Sequence, residues 1–90
     1  MIFNVVLTNE AEDDLEKLRS SGQKAEIRKI EKLLVELATH PRSGSGQIEP
    51  LKGSLSGFWS RRISKANRLI YFIDDQTSTV NVISCMGHYK

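Results

Sequence analysis

Three short β-rich runs separated by turn-forming residues occupy the last third of the chain, and no other feature restricts the fold as strongly. The runs are residues 58–63, 68–73 and 79–85, and residues 64–67 and 74–78 connect them. Val, Ile and aromatic residues bounded by Ser, Asn and Asp are typical of strands. Such short connections do not allow a crossover, so we predict an antiparallel meander.

The first forty residues predict one strand and two helices. Residues 2–7 are rich in β-branched and aromatic types, which favours a strand. Thr8 offers a helix N-cap, acids crowd the turns after it, and Gly22 suits the helix end. We interpret the acids between residues 10 and 16 as a solvated face. A second helix runs from about Gln23 to Thr39, since apolar residues recur there every three or four positions.

This order of elements predicts an α+β fold, β-α-α-β-β-β, with a helix hairpin packed on a small, mostly antiparallel sheet. A chain of 90 residues, 39% hydrophobic and 27% charged, fits a single domain over residues 1–90. It contains no apolar run of ~20 residues and no signal-peptide pattern, so we expect a cytoplasmic protein that does not enter a membrane. The single cysteine, Cys85, cannot form an internal disulfide, and we expect neither a metal nor a cofactor.

Charge is unevenly distributed along the chain. Residues 1–40 carry six Lys or Arg against eight Asp or Glu, whereas residues 41–90 carry seven against three. Within residues 42–68 the only acid is Glu49. This segment is suited to a polyanion, and we include Arg61 and Lys65 among its predicted RNA or phosphate contacts. The alternative is a solvated, cationic strand edge that discourages aggregation.

Cleavage of RNA by side chains alone requires a base for the ribose 2′-hydroxyl, an acid for the departing 5′-oxygen, and fixed cations near the phosphorus. Glu49 precedes Pro50 at the end of a loop and lies among cations, so it is the candidate base. The alternative is a surface ion pair. Arg62 and Arg68 flank a short turn, and two converging guanidinium groups favour a phosphate.

Two further candidate residues, His88 and Tyr89, lie just before the last residue of the sequence, Lys90. Histidine can donate a proton near neutral pH, and tyrosine can stack on a base or position a phosphate. The alternative is a frayed tail. We interpret Cys85 as a packing residue, since no base neighbours it in sequence.

Three segments together with this ending resemble the YoeB/Txe toxins of the RelE/ParE superfamily. They are Glu-Pro-Leu-Lys at 49–52, Leu-Ser-Gly-Phe-Trp-Ser-Arg-Arg-Ile at 55–63, and Asn-Arg-Leu-Ile-Tyr at 67–71. The resemblance implies a RelE-like fold and a ribosome-dependent endoribonuclease that cuts messenger RNA in the ribosomal A site and so inhibits translation. The implied reaction needs no metal and leaves a 2′,3′-cyclic phosphate and a 5′-hydroxyl.

The same resemblance implies a role for each site residue. Glu49 would be the general base, His88 the general acid, and Arg68 the group that stabilises the transition state. The implied phosphate and nucleotide contacts are Lys52, Arg62 and Tyr89.

The family also implies protein partners and leaves two other functions open. The implied partner is a YefM/Phd-type antitoxin, with operator DNA bound only through the antitoxin, and a homodimer is plausible by resemblance. One alternative is a non-enzymatic gyrase inhibitor like the ParE toxins, which needs no acid–base pair. The other is an inactive co-repressor that binds RNA without cutting it.

Overall fold

A computed structural model describes residues 2–87 of the chain. Its two helices and five strands occur in the order β1, α1, α2, β2, β3, β4, β5, with one 3₁₀ turn between β2 and β3. The elements are β1 Asn4–Leu7, α1 Asn9–Ser20, α2 Lys24–Thr39, β2 Glu49–Pro50, the 3₁₀ turn Gly53–Leu55, β3 Phe58–Arg62, β4 Arg68–Asp74 and β5 Thr79–Ser84. The predicted α+β fold is confirmed.

The strands form one mixed sheet in the order β1-β5-β4-β3-β2. The predicted meander β3-β4-β5 is antiparallel, while β1 joins β5 in parallel. β2 lies in a segment expected to be a loop, and it pairs with the outer edge of β3. Two residues are too few to show strand periodicity, and Pro50 is tolerated because β2 is an edge strand.

Both helices pack against one side of the sheet, which we call the helix face. Buried side chains of α1 and α2 meet those of β3, β4 and β5 there. The main contributors are Ala11, Leu15, Leu18, Ile30, Leu33, Leu37, Ile63, Leu69, Tyr71, Val80, Val82 and Cys85. We call the opposite side the open face. No helix among residues 2–87 is long and apolar enough to span a membrane.

The start of α1 is fixed as the sequence predicts. The Thr8 hydroxyl accepts a hydrogen bond from the Ala11 amide (3.2 Å) and donates one to the Ile83 carbonyl (2.9 Å), so the cap also ties α1 to β5. Gly22 follows the helix with φ +72°, in the left-handed region that glycine adopts at helix ends.

One member of the acidic run in α1 is not solvated. Asp14 is buried and accepts a hydrogen bond from the Cys85 amide at 2.9 Å. Its carboxylate satisfies a backbone donor just beyond the last residue of β5, which is why an acid is tolerated there. Cys85 is fully buried beside it, and burial, reinforced by the Asp14 charge, raises the pKa of its thiol to about 12.

Candidate active site on the open face

Strand register brings the candidate base and the paired arginines to the same face of the sheet. Glu49 lies opposite Ser60, and Arg62 lies opposite Arg68. Cross-strand partners share a face, and residues two apart on a strand share it too, so these side chains all lie on the open face. Directly opposed Cβ atoms are about 5 Å apart, and the diagonal from Glu49 to Arg62 is about 7 to 8 Å.

The Arg62–Arg68 pair lies where β3 ends and β4 begins. The Nη1 atom of Arg68 is buried and has no hydrogen-bond partner among residues 2–87. Arg62 donates only a long bond, 3.4 Å, from Nη1 to the Gln47 Oε1 atom. A cavity of about 270 Å³ also borders Arg62, but Lys29 of α2 and Ile63 line it together with Gly46 and Gln47, so it opens toward the helix side of the sheet and not onto the Arg62–Arg68 pair. A guanidinium nitrogen with a free donor beside a second arginine is suited to an oxygen of a phosphate.

Glu49 is exposed at the edge of this cationic surface. Within residues 2–87 its carboxylate makes no ion pair, so the surface ion pair considered above does not form in this part of the chain. Lys52 follows β2 and is exposed, and Lys65 is exposed in the β3–β4 turn. Both lysines lie near the site, and neither forms an ion pair with an acidic residue among residues 2–87.

On the side of Glu49 away from the arginines, two phenylalanines form a ring pair. Phe58 and Phe72 are cross-strand partners with ring centroids 5.5 Å apart and planes inclined at 58°. Both rings are half-buried. The open face therefore combines a carboxylate, two guanidinium groups and an aromatic surface, which are the groups that contact a ribose, a phosphate and a base.

The C-terminal segment is attached at the same place. The Gly87 carbonyl accepts a hydrogen bond from the Arg68 amide (3.0 Å), and the Gly87 amide donates to the Asn67 Oδ1 atom (2.9 Å). Asn67 in turn donates to the Glu26 carboxylate of α2 at 3.0 Å. Gly87 is the last described residue, so the candidate acid His88 and the candidate nucleotide contact Tyr89 lie outside the described residues.

The structure corrects the expectation that Arg61 contacts phosphate. Its relative exposure is 0%, and it lies on the helix face with Trp59 and Ile63. Its guanidinium group pairs with Glu36 at 3.3 Å and donates to the Tyr71 hydroxyl at 3.1 Å. An arginine enclosed in this way cannot reach an RNA strand. The signal was present in the sequence, because strand alternation places Arg61 among apolar residues.

The two ionisable groups that contact Arg61 have pKa values shifted from their ordinary values. A hydrogen bond from the Ser45 amide lowers the pKa of Glu36 below its ordinary value, and the Arg61 charge lowers it further. Burial raises the pKa of the Tyr71 hydroxyl, although the adjacent Arg61 opposes that rise. Glu36 is therefore held as a carboxylate, and Tyr71 remains protonated and able to donate.

Sequence reasoning missed Gln47 and Asn67. Gln47 has φ +49°, an uncommon value for a residue other than glycine, and its side chain meets Arg62. Asn67 connects α2, the turn before β4 and Gly87, and it was interpreted only as a turn residue. Neither role has a sequence signal, because both depend on contacts between segments far apart in the chain. Among residues 2–87 no group of three His, Cys, Asp or Glu side chains is placed to hold a metal ion.

The same architecture occurs in bacterial toxins of known structure. A YoeB/ParE toxin from Agrobacterium tumefaciens aligns with a TM-score of 0.89 and 33% identity, covering 97% of this chain and 100% of the other. A YoeB–YefM heterotetramer and a YoeB dimer, both from Staphylococcus aureus, align at 31% identity with TM-scores of 0.81 and 0.84, each over 99% of this chain and 100% of the other.

Sequence similarity extends over the same region. The Streptomyces coelicolor toxin YoeB is 36% identical over 88 residues, which is 97% of this chain and 100% of that toxin. The family model of YoeB-like toxins of bacterial type II toxin–antitoxin systems matches residues 7–89. The chain belongs to that family, as the motifs at residues 49–71 predict.

Proposed function

We propose that this toxin is a ribosome-dependent endoribonuclease that cuts messenger RNA in the ribosomal A site and thereby inhibits translation. The observation that carries the proposal is the placement of Glu49 beside the Arg62–Arg68 pair, whose buried Arg68 Nη1 atom has no partner among residues 2–87. A carboxylate on the same face as two guanidinium groups is the arrangement that cleavage through the 2′-hydroxyl requires.

In the proposed reaction, the Glu49 carboxylate takes the proton of the ribose 2′-hydroxyl. The 2′-oxygen attacks the adjacent phosphorus, and the bond from phosphorus to the 5′-oxygen of the next nucleotide breaks. His88 gives its proton to that departing oxygen, while Arg68 stabilises the charge that builds on the phosphoryl oxygens. The products are a 2′,3′-cyclic phosphate and a 5′-hydroxyl, so the protons and bonds balance.

The assignment of His88 as the acid is supported by the anchoring of Gly87. The residue that precedes His88 in the chain is bonded to the Arg68 amide, which starts the strand carrying the proposed phosphate ligand. Lys52, Arg62 and Lys65 then supply further positive charge along the RNA strand, and Tyr89 orients the nucleotide. The Phe58–Phe72 pair offers a surface for a base.

We infer dependence on the ribosome from the open shape of the site, which does not enclose a substrate. Glu49 and Lys52 are exposed, and within residues 2–87 both helices pack on the opposite side of the sheet, where they cannot confine an RNA strand. The ribosome would hold the codon in place and supply the orientation that this small domain lacks. That contribution can account for several kcal/mol of the barrier.

We propose a YefM-type antitoxin as the partner of this toxin, on the support of the Staphylococcus aureus complex. The antitoxin would cover the cationic open face with an acidic segment that folds on binding. Operator DNA would then be bound through the antitoxin. The Staphylococcus aureus dimer supports a homodimer of this chain as well.

Mapping the cleavage of a messenger programmed into ribosomes tests this function. The comparison includes the native chain, Glu49→Gln, Arg68→Gln and His88→Gln, with Lys24→Gln on the exposed start of α2 as the matched control. We expect cuts in the A-site codon with cyclic phosphate ends, unchanged in the control and reduced by at least about 100-fold in the other three. Intact RNA with a folded native protein would contradict the proposal, and DNA breaks in intoxicated cells would favour a gyrase inhibitor instead.

A further inference from the structure

A polar cluster of the buried Arg61 and Tyr71 with the half-buried Glu36 lies beneath the segment 40–48, which leads from α2 to Glu49. We propose that these three side chains are positioning residues for Glu49, holding that segment so that the carboxylate lies next to the arginine pair. The inference rests on the proposed function and extends it to residues that do not touch the RNA.

The Arg61 guanidinium group is directed at the backbone of this segment. Nη2 donates to the carbonyls of His40 and Ser43, the latter at 2.8 Å. Nη1 donates to Glu36 at 3.3 Å and makes a long bond, 3.5 Å, to the Ser45 carbonyl. With the bond from Nε to Tyr71, all three nitrogens of the fully buried group have partners.

The two companions of Arg61 bind the same segment directly. Glu36 accepts a hydrogen bond from the Ser45 amide at 2.8 Å. The Tyr71 hydroxyl donates to the Pro41 carbonyl at 2.9 Å. Backbone groups at residues 40, 41, 43 and 45 are therefore held from below by three side chains, although residues 40–48 contain no helix or strand.

The restraint continues from the cluster to Glu49 through two glycines. Gly44 has φ +114°, and a Cβ atom there would collide with the Glu36 carboxylate. Gly46 has φ +98°, and its carbonyl accepts a hydrogen bond from the Arg62 amide. Only two residues separate Gly46 from Glu49, so the position of the loop determines where β2 begins.

β2 cannot hold this position by itself. It consists of two residues, and its second residue, Pro50, has no amide hydrogen to donate. Isolated strand pairs need more contacts than this to be stable. A buried cation is also a costly way to fill a core, and an apolar side chain would not bind the loop carbonyls. The need to bind these loop carbonyls therefore explains why a polar cluster occupies this part of the core.

The test uses Tyr71→Phe, which removes only the hydroxyl that bridges Arg61 and Pro41. Cleavage of ribosome-bound messenger is measured in single turnovers for the native chain, Tyr71→Phe, Glu49→Ala and the double variant. A 1 Å displacement of a reacting group can cost about 100-fold, so we expect Tyr71→Phe to lower the cleavage rate by about 10- to 100-fold. The concentration giving half-maximal rate should not change, because the arginine pair remains intact.

The double variant distinguishes positioning from general damage. If Tyr71 acts through Glu49, Tyr71→Phe produces no further loss once Glu49 is alanine. Equal losses in both backgrounds would overturn the inference while leaving the proposed function standing. Leu18→Ala, in the core of α1 far from the loop in sequence, is the control for lowered stability, and it should lower the melting temperature without changing the rate.

Amide hydrogen exchange tests the cluster even if the native chain cuts no RNA. In Tyr71→Phe we expect the Ser45 amide to exchange at least about tenfold faster while the amides of β4 and β5 keep their protection. Unchanged exchange at Ser45 would overturn the inference. A native chain that leaves RNA intact, with exchange altered as expected, would contradict the proposed function and would reduce the cluster to a support for the loop.

Discussion

Arg61 and Arg62 are adjacent in the chain, yet they serve different purposes because successive side chains of a strand point to opposite faces. We expect Arg61→Gln to destabilise the protein by about 3 to 5 kcal/mol, since it breaks a buried ion pair and leaves loop carbonyls unpaired. Arg62→Gln should change stability by less than about 0.5 kcal/mol and should weaken RNA binding. Urea unfolding and RNA titrations of the two variants provide the measurement.

The opposite result would contradict the roles assigned here to Arg61 and Arg62 of β3. If Arg62→Gln unfolded the protein and Arg61→Gln only weakened RNA binding, the two faces would be wrongly assigned. Lys24→Gln, at the exposed start of α2, is the control for the loss of one positive charge.

Glu36 should make stability depend on pH in the acid range. Its pKa in the folded protein lies below the ordinary value of 4.5, so the unfolded chain binds more protons in this range. The stabilisation is complete above about pH 4.5 and is lost as the pH falls through the folded-state pKa. We therefore expect the difference in unfolding free energy between the native chain and Glu36→Gln to shrink from pH 5 to pH 3.

That difference is measured by urea unfolding at fixed ionic strength. A difference that stays constant across this range would show that Glu36 acts only as a neutral acceptor.

At the scale of elements, the glycines of segment 40–48 leave the least space for an added side chain. Gly44→Ala should cost more than about 2 kcal/mol, because its backbone angle is strained for any side chain and the added methyl group meets Glu36. Gly22→Ala is the matched control: its φ is also positive, yet nothing lies within 4 Å of the added atom, so we expect about 1 kcal/mol. Equal losses in urea unfolding would contradict the steric argument.

The elements differ in how well the sequence predicts them. The helices and the three strands of the meander have complete periodic patterns, and Thr8 caps α1, so their bounds agree with prediction to within one residue. β2 has no such pattern, since its pairing depends on a loop fixed by Arg61 of another strand. The prediction for Arg61 is wrong because strand alternation places its side chain on the helix face despite the basic residues around it.

At the scale of the whole molecule, the uneven charge distribution should govern RNA binding. Each phosphate contact to a single strand contributes about 0.7 to the slope of log affinity against log salt. We expect Lys52→Gln, beside the site, to reduce that slope by about 0.7, while Lys24→Gln on α2 leaves it unchanged. Binding titrations from low to physiological salt measure both slopes, and equal reductions would show that the net charge alone matters.

Contacts between segments far apart in the chain are the feature that the sequence predicts least. The order of elements and the antiparallel meander were predictable from connection lengths, and the motifs at residues 49–71 predicted the family. The place of β1 was not, because parallel pairing with β5 has no local signal. Burial of Asp14 is unpredictable for the same reason: its partner is the Cys85 amide, 71 positions along the chain.

The pairing of the first strand with the last has a consequence for how the toxin is made. β1 lies against residues 79–82, so a nascent chain holds an uncharged, β-prone segment without its strand partner until residues 79–82 have been synthesised. Contacts this distant in sequence form slowly, because a long loop must close before they stabilise anything. Addition of β1 to the sheet is therefore a late step in the folding of the described residues.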